Sequence, residues 1–336
     1  MPTRFGMPWP GAEIATEAEA AGFSAFCCGE FADHDPYVTT TQMAAATTSA
    51  QIGPGIAYAF SRTPFAHATA LRQIHKTAAG RLFVGLGSGA FRINRDWLGV
   101  AADRPVARVA DVVGALRAYL QAENGAPVRF DGEFYSINAD VRAPILGRLE
   151  IPILVGAFNA TMCRTTGRIA DGVIGHGLFT TRWWDEVVRP AVASGAEKAG
   201  RDPAEILEHG WVIAAINDDD PDRAIDDARR MVGFYLTVRT YDPMVEMFGW
   251  RRQVDELREA FQRGDIKAMT AAVDDEMLSA IAVCGTTADA KAALAARGAG
   301  LPRDVAFLAP PVFLVSNRRR DAYARASFAL IEDGRS

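Results

Sequence analysis

Four successive β-type runs end in glycine clusters: Gly53-Pro54-Gly55, Gly85-Leu86-Gly87-Ser88-Gly89, Gly156-Ala157 and Gly175-His176-Gly177. Glycine has no Cβ, so the chain can take left-handed dihedrals there and a flat ligand can come close to the backbone. The plain alternative is that such glycines only make tight turns between strand and helix. One cluster would decide nothing; four in a row, each closing an apolar run, point to a planar cofactor. Two titratable side chains stand at ends of strand-type runs. Glu30, after the run Ser24 to Gly29, is placed to orient a ring or accept a proton. His176, between two glycines, is placed to donate to a cofactor or substrate or to relay a proton, with packing as the alternative.

The other histidines read as structural. His67 and His75 share a helix face with Leu71, His209 precedes a strand, and His34 lies between Asp33 and Asp35 in what reads as an exposed loop. HExxH, CxxC, GxSxG and Walker patterns are missing, so neither a metal site, a disulfide framework, triad hydrolysis nor phosphoryl transfer is indicated. Cys27, Cys28, Cys163 and Cys284 read as reduced, buried thiols. The stretch Gly85 to Ala90 fits a GxGxxG/A dinucleotide fingerprint, but that motif needs a helix opening directly from the loop. Here Phe91 to Gly99 intervenes before the helix signal at Asp103, and three strand–helix units come first. The match is rejected.

The elements that must hold these residues alternate. Strand-type runs at Arg4–Met7, Ser24–Gly29, Gln51–Ala57, Leu82–Gly87, Ile151–Gly156, Gly172–Gly175, Trp211–Ile216 and Val305–Leu308 are separated by helical patterns. Helix signals include Gly11–Ala21 with a stop at Gly22, about Thr39–Thr48, Thr63-Pro64 with a stop at Gly80, and Asp103-Pro105. After the last, Val106, Val109, Val113, Leu116 and Leu120 fall at spacings of three and four, one buried stripe. Phe130–Tyr135 reads as a hairpin outside the alternation. Eight repeats predict an α/β protein, a (β/α)8 TIM barrel whose catalytic face is the C-terminal end of the strands. The helix-rich stretch of about 234–282 breaks the rhythm and is expected to be an insertion before strand eight. It serves either the active-site mouth or packing and dimer contacts.

At 336 residues the chain suits a single barrel domain with insertions. A net charge of −5 without a basic run leaves no footprint for nucleic acid. Met1–Gly6 lacks a signal-type apolar core, and the apolar run Val305–Val315 is broken by Pro310-Pro311. A soluble, cytoplasmic protein acting on a small molecule, without nucleic acid or membrane, is expected.

Several segments, in order from about residue 4 to 310, resemble the luciferase-like monooxygenase superfamily, and within it the branch using deazaflavin coenzyme F420. They are Asp35-Pro36-Tyr37-Val38, Ile52-Gly53-Pro54-Gly55-Ile56, Arg62-Thr63-Pro64, Val84–Gly89, the hairpin Phe130–Tyr135, Ile169-Ala170-Asp171-Gly172-Val173-Ile174 and Cys284-Gly285-Thr286. The resemblance implies a cis peptide at Gly55-Ile56 behind the central ring of the coenzyme. It implies Gly87, Ser88 and Gly89 beside the ring or its side chain, and Gly156, Ala157, Phe158 and Asn159 at the phosphate, a helix start that favours anions. It also implies a homodimer. The sugar-phosphate dehydrogenases of that branch carry a histidine where this chain has Phe31 and a glutamate where it has Ala90. Gly177-Leu178-Phe179 lacks their phosphate-binding lysine. A more apolar substrate is implied. The alternatives are an FMN-dependent monooxygenase on the same barrel, or a protein that binds the coenzyme without turnover.

Overall fold

The computed structural model describes residues 3–140 and 147–331. Its strands are β1 (Arg4–Pro8), β2 (Ala25–Cys28), β3 (Gln51–Pro54), β4 (Ala57–Tyr58), β5 (Val84–Gly87), β6 (Val128–Asp131), β7 (Ser136–Ala139), β8 (Ile153–Gly156), β9 (Gly172–Gly175), β10 (Leu207–Ile216), β11 (Val283–Gly285) and β12 (Val305–Ala309). The main sheet runs β3-β2-β1-β12-β10-β9-β8-β5-β4, with β11 attached to β10. Its ladders β1–β12, β10–β12, β10–β11, β4–β5, β5–β8 and β8–β9 are parallel. With helices between successive strands, this is the α/β TIM-barrel architecture. The expected hairpin is present as the antiparallel pair β6–β7. By its contacts the chain divides into two compact units.

The first unit comprises Phe26–Ile174 and Pro190–Leu207. A strand expected as one run, Gln51–Ala57, is two: β3 and β4 flank a break at Gly55-Ile56, and Ile52 bridges Leu82 on the approach to β5. Helix Pro36–Ala46 begins three residues before the expected start. The Asp35 carboxylate accepts from the N–H groups of Tyr37 (2.8 Å) and Val38 (3.1 Å), and Pro36 presets the first turn. Thr63 caps helix Pro64–His75 in the same way. In helix Pro105–Leu120 the stripe Val109, Val113, Leu116 and Leu120 is buried, whereas Val106, in the first turn, is only half covered. Phe26, Ile52, Leu71, Phe83 and Leu86 complete the core of this unit.

The second unit comprises Met1–Ala25, Gly175–Arg189 and Glu208–Ser336. β1 and β10 flank β12, whose side chains are all buried. The stretch expected as an insertion holds helices Asp242–Phe248, Arg251–Gln262, Ile266–Ala271 and Asp275–Ile281. Its expected first residue, Phe234, instead falls inside helix Pro221–Leu236. Ala224, Ala228, Met231, Val232 and Leu236 bury one continuous face there, and Asp220 caps the start by accepting from the Arg223 N–H. The late helix Asn317–Ala326 is tied to this one. The Tyr323 hydroxyl donates to fully buried Asp227 (2.8 Å), which also faces Arg230 (2.9 Å) and Arg319 (2.7 Å).

Among the described residues no helix is long and apolar enough to cross a membrane.

Candidate functional site

In the first unit, Gly85, Gly87 and Gly156 of the expected glycine clusters converge on Ile56. The Gly55-Ile56 peptide is cis, as the resemblance implied. A Cβ added at Gly87 would lie 2.7 Å from Ile56 Cδ1, and one at Gly156 would lie 3.2 Å from Ile56 Cγ2. Glycines at the ends of β5 and β8 therefore make room for the side chain at the break, leaving backbone rather than side chains along that edge. Gly53 has a different cause, since a Cβ there would lie 2.1 Å from the Phe83 carbonyl oxygen. Part of the glycine pattern is thus demanded by packing within the barrel and not by a ligand.

Glu30 follows β2 and holds this break from two directions. Its N–H donates to the Ile56 carbonyl (2.9 Å), beside the Gly55 N–H bond to the Cys28 carbonyl (2.8 Å). Its carboxylate accepts from the Tyr58 N–H (2.7 Å), the Ser61 hydroxyl (3.2 Å) and Arg62 Nη1 (2.8 Å). Arg62 also pairs with Asp35 and lies over the Tyr37 ring. The Tyr37 hydroxyl contacts His67 Nδ1 at 2.5 Å. Burial pushes His67 down to about 4, so the ring is neutral and accepts the phenol proton, with its other nitrogen turned to Ala59. Sequence reasoning singled out Glu30 but missed the residues that occupy it: Tyr58, Ser61 and Arg62. The usable signal was charge, Arg62 following Glu30 and Asp35 with no lysine or other arginine between them. In this arrangement Glu30 orients the loops around the break.

Gly87 ends β5, and Ser88 and Gly89 follow it. Gly89 is left-handed (φ 66°), and the loop is pinned by Asn94 Nδ2, which donates to the carbonyls of Ser88 (2.7 Å) and Ala90 (3.2 Å). Beyond β8, Gly156, Ala157 and Phe158 lead to Asn159, whose side chain caps helix Ala160–Ile169 by accepting from the Met162 N–H (3.0 Å). That helix has no acid in its first turn and carries exposed Arg164 one turn in. Its positive end suits an anion.

His176 belongs to the second unit and follows β9. Its Nδ1 accepts from the Leu178 N–H (3.2 Å), so the neutral ring carries its proton on Nε2, which faces the Tyr241 hydroxyl (3.1 Å). Tyr235 packs edge-on against the same ring at 4.5 Å. Burial lowers the pKa to about 4. The ring is thus a hydrogen-bond donor of fixed tautomer at neutral pH.

The four cysteines form no disulfide, and all but Cys284 are buried. Burial raises Cys28 and Cys163 to about 12, which removes them as nucleophiles. His34, read as exposed, is half covered, with Nδ1 2.6 Å from Asp33. A cavity of about 140 Å³ lies beside the Arg117–Asp171 pair at the N-terminal end of β8, the end of a barrel strand that serves stability rather than catalysis.

The family model for luciferase-like monooxygenases matches residues 10–303. An uncharacterised protein of Mycobacterium tuberculosis is 30% identical over 313 residues, 91% of each chain. The 5,10-methylenetetrahydromethanopterin reductase of Methanolobus tindarius is 28% identical over 284 residues, 84% of each. In three dimensions the chain is similar to the coenzyme F420-dependent tetrahydromethanopterin reductase of Methanopyrus kandleri, with a TM-score of 0.80, 22% identity, and coverage of 97% of this chain and 98% of that one.

Proposed function

The chain belongs to the luciferase-like monooxygenase family, and we propose that it is an oxidoreductase moving a hydride between deazaflavin coenzyme F420 and an organic substrate other than a sugar phosphate. The observation that carries this reading is the strand break at Gly55-Ile56 with the glycine edges of β5 and β8 beside it.

The residues present suit a flat ring with a phosphate-bearing tail. At Gly156 the nearest atom to an added Cβ is Ile56 Cγ2, and at Gly89 it is a Tyr58 ring carbon, each at 3.2 Å, so the edge is lined by backbone, one aliphatic chain and one phenol. Gly55, Ile56, Gly87, Ser88 and Gly89 would hold the ring. Gly156, Ala157, Phe158 and Asn159 would hold the phosphate at the helix start. The coenzyme, when bound, supplies the hydride chemistry. Glu30 keeps the break in place through Ile56 and Arg62. His176 is assigned as a neutral hydrogen-bond donor that positions the Tyr241 hydroxyl. The likeness to the coenzyme F420-dependent reductase favours F420, while a likeness to a Baeyer–Villiger monooxygenase in complex with FMN keeps FMN as the second reading.

Fluorescence titration of F420 and FMN against wild type and Gly156→Val tests this. F420 is expected to bind more tightly than FMN. The valine, crowding Ile56 and the phosphate turn, is expected to weaken binding about tenfold or more. Tighter FMN binding selects the monooxygenase reading. Coenzyme binding with no redox change across a panel of ketones and alcohols selects the non-catalytic one. Unchanged affinity in a folded Gly156→Val protein puts the phosphate elsewhere.

A further inference from the structure

Two large aromatic side chains stand exposed on the segments that follow Glu30 and Ser88, and neither is among the residues assigned above to the break or the coenzyme. Phe31 is 49% exposed and Trp97 58% exposed, yet their rings meet edge to face with centroids 5.6 Å apart. Both belong to segments hydrogen-bonded to the proposed ring site. Phe31 directly follows Glu30, whose N–H holds the Ile56 carbonyl, and it closes its own loop by a bridge to His34. Trp97 lies on the wide helical turn Ile93–Leu98, which Asn94 fastens to Ser88 and Ala90. The two rings thus stand on segments tied to that edge, one through the Ile56 carbonyl and the other through the carbonyls of Ser88 and Ala90.

The charges near these rings are already engaged. Asp33 holds His34, Asp96 faces both Arg92 and Arg95, and Arg95 also lies over Phe91, another exposed ring on the same loop. Such a surface offers ring faces, which bind flat, weakly polar molecules by stacking and area burial. A phosphorylated or polyhydroxylated substrate would have to compete with Asp96 for those guanidinium groups.

We propose that Phe31 and Trp97 form the substrate-side wall of the site and select a planar, apolar carbonyl or alcohol substrate of aryl or fused-ring type. This inference rests on the coenzyme site proposed above and assigns its substrate class. Both side chains are specificity determinants, acting on the bound substrate rather than on the coenzyme.

The test uses acetophenone and 2-acetonaphthone as probes and glucose 6-phosphate as the contrasting ligand, each titrated by saturation-transfer NMR onto protein with and without F420. Wild type is expected to bind both aryl ketones, the naphthyl one more tightly, and to bind glucose 6-phosphate at least about tenfold more weakly. Trp97→Ala and Phe31→Ala are expected to weaken ketone binding about five- to tenfold, and Trp97→Phe to restore most of it. F420 affinity is read separately on the same variants, and values within about twofold of wild type show an intact edge. A wild type that takes ketones but not F420 overturns the coenzyme reading and leaves the wall standing. Ketone binding unchanged in both alanine variants, or glucose 6-phosphate bound more tightly than the ketones, overturns the wall. So does a wild-type dimer that Trp97→Ala dissociates in light scattering, since the patch would then be covered by a second copy of the chain.

Discussion

The main-chain N–H of Glu30 donates to the carbonyl oxygen of Ile56 across 2.9 Å, tying the end of β2 to the break between β3 and β4. The same residue's carboxylate, 13% exposed, gathers Arg62, Tyr58 and Ser61. One residue therefore fixes the position of the break and of the loop beyond it. Its charge serves that task.

Glu30→Gln separates positioning from proton transfer. The amide keeps the volume but loses the charge opposite Arg62 and turns one NH2 group toward existing donors. A loss of about 1.5–3 kcal/mol in urea unfolding is expected, with weakened coenzyme binding. A variant as stable as wild type that binds coenzyme normally but turns nothing over would select the proton-acceptor role.

Gly53→Ala and Gly87→Ala should differ in cost although both positions lie on barrel strands. At Gly53 the new methyl would meet the main-chain oxygen of Phe83 at 2.1 Å, which cannot withdraw without breaking the ladder. A loss above about 3 kcal/mol, or failure to fold, is expected. At Gly87 the obstacle is Ile56 Cδ1 at 2.7 Å, the end of a flexible side chain, and about 1–2 kcal/mol is expected. Ile56→Val removes that atom, so Gly87→Ala should cost less in the valine background; denaturation of the four proteins of that cycle measures the coupling. Equal costs at the two glycines would mean that the Phe83 carbonyl and the Ile56 side chain yield equally, against the packing of either.

Acid should destabilise the protein before its carboxylates titrate. His67 and His209 are buried and His176 is enclosed by Tyr235 and Tyr241. Burial lowers His67 and His176 to about 4 and His209 to about 3 from an ordinary value of 6.5. Between the ordinary and the lowered values the unfolded chain binds more protons than the folded one. The stability is therefore full above pH 6.5 and lost as pH falls toward 4. The slope approaches about 1.4 kcal/mol per pH unit for each histidine. Urea midpoints between pH 7 and 5 should fall accordingly, and His67→Gln should remove about a third of the slope. A flat profile over that range would show that these rings ionise freely in the folded state.

Much of the architecture was legible because local signals agreed with the fold. Asp35-Pro36 and Thr63-Pro64 start helices through their own side chains, and strand after strand ends at a glycine. What stayed hidden depends on contacts distant in sequence. Nothing local marks Arg62 as the partner of Glu30 and Asp35, and the glycines at positions 53 and 87 look alike although one faces a carbonyl and the other Ile56. Phe234 looks like the beginning of an insertion, while the buried face from Ala224 to Leu236 makes it the last turn of a helix already under way. Trp97 carried no motif at all; only its contact with Phe31 brings it into view.

His176 offers the most direct test of a fixed proton position. The Leu178 N–H occupies Nδ1, so Nε2 must carry the proton and donate it to the Tyr241 hydroxyl. Burial, which lowers the ring to about 4, keeps it neutral throughout the ordinary working range. Nitrogen-15 NMR of histidine-labelled protein, with the signal assigned by loss in His176→Gln, should report a single neutral ring protonated on Nε2 from about pH 5.5 to 8. Tyr241→Phe removes the acceptor of that proton while leaving the Leu178 contact, so the Nε2 resonance should shift and the Nδ1 resonance should hold. A pH-rate profile should show no inflection from this residue above about pH 5.5. A ring that titrates near its ordinary value, or one that carries its proton on Nδ1, would mean that His176 meets Tyr241 as an acid or an acceptor. The donor role assigned to it would then fall.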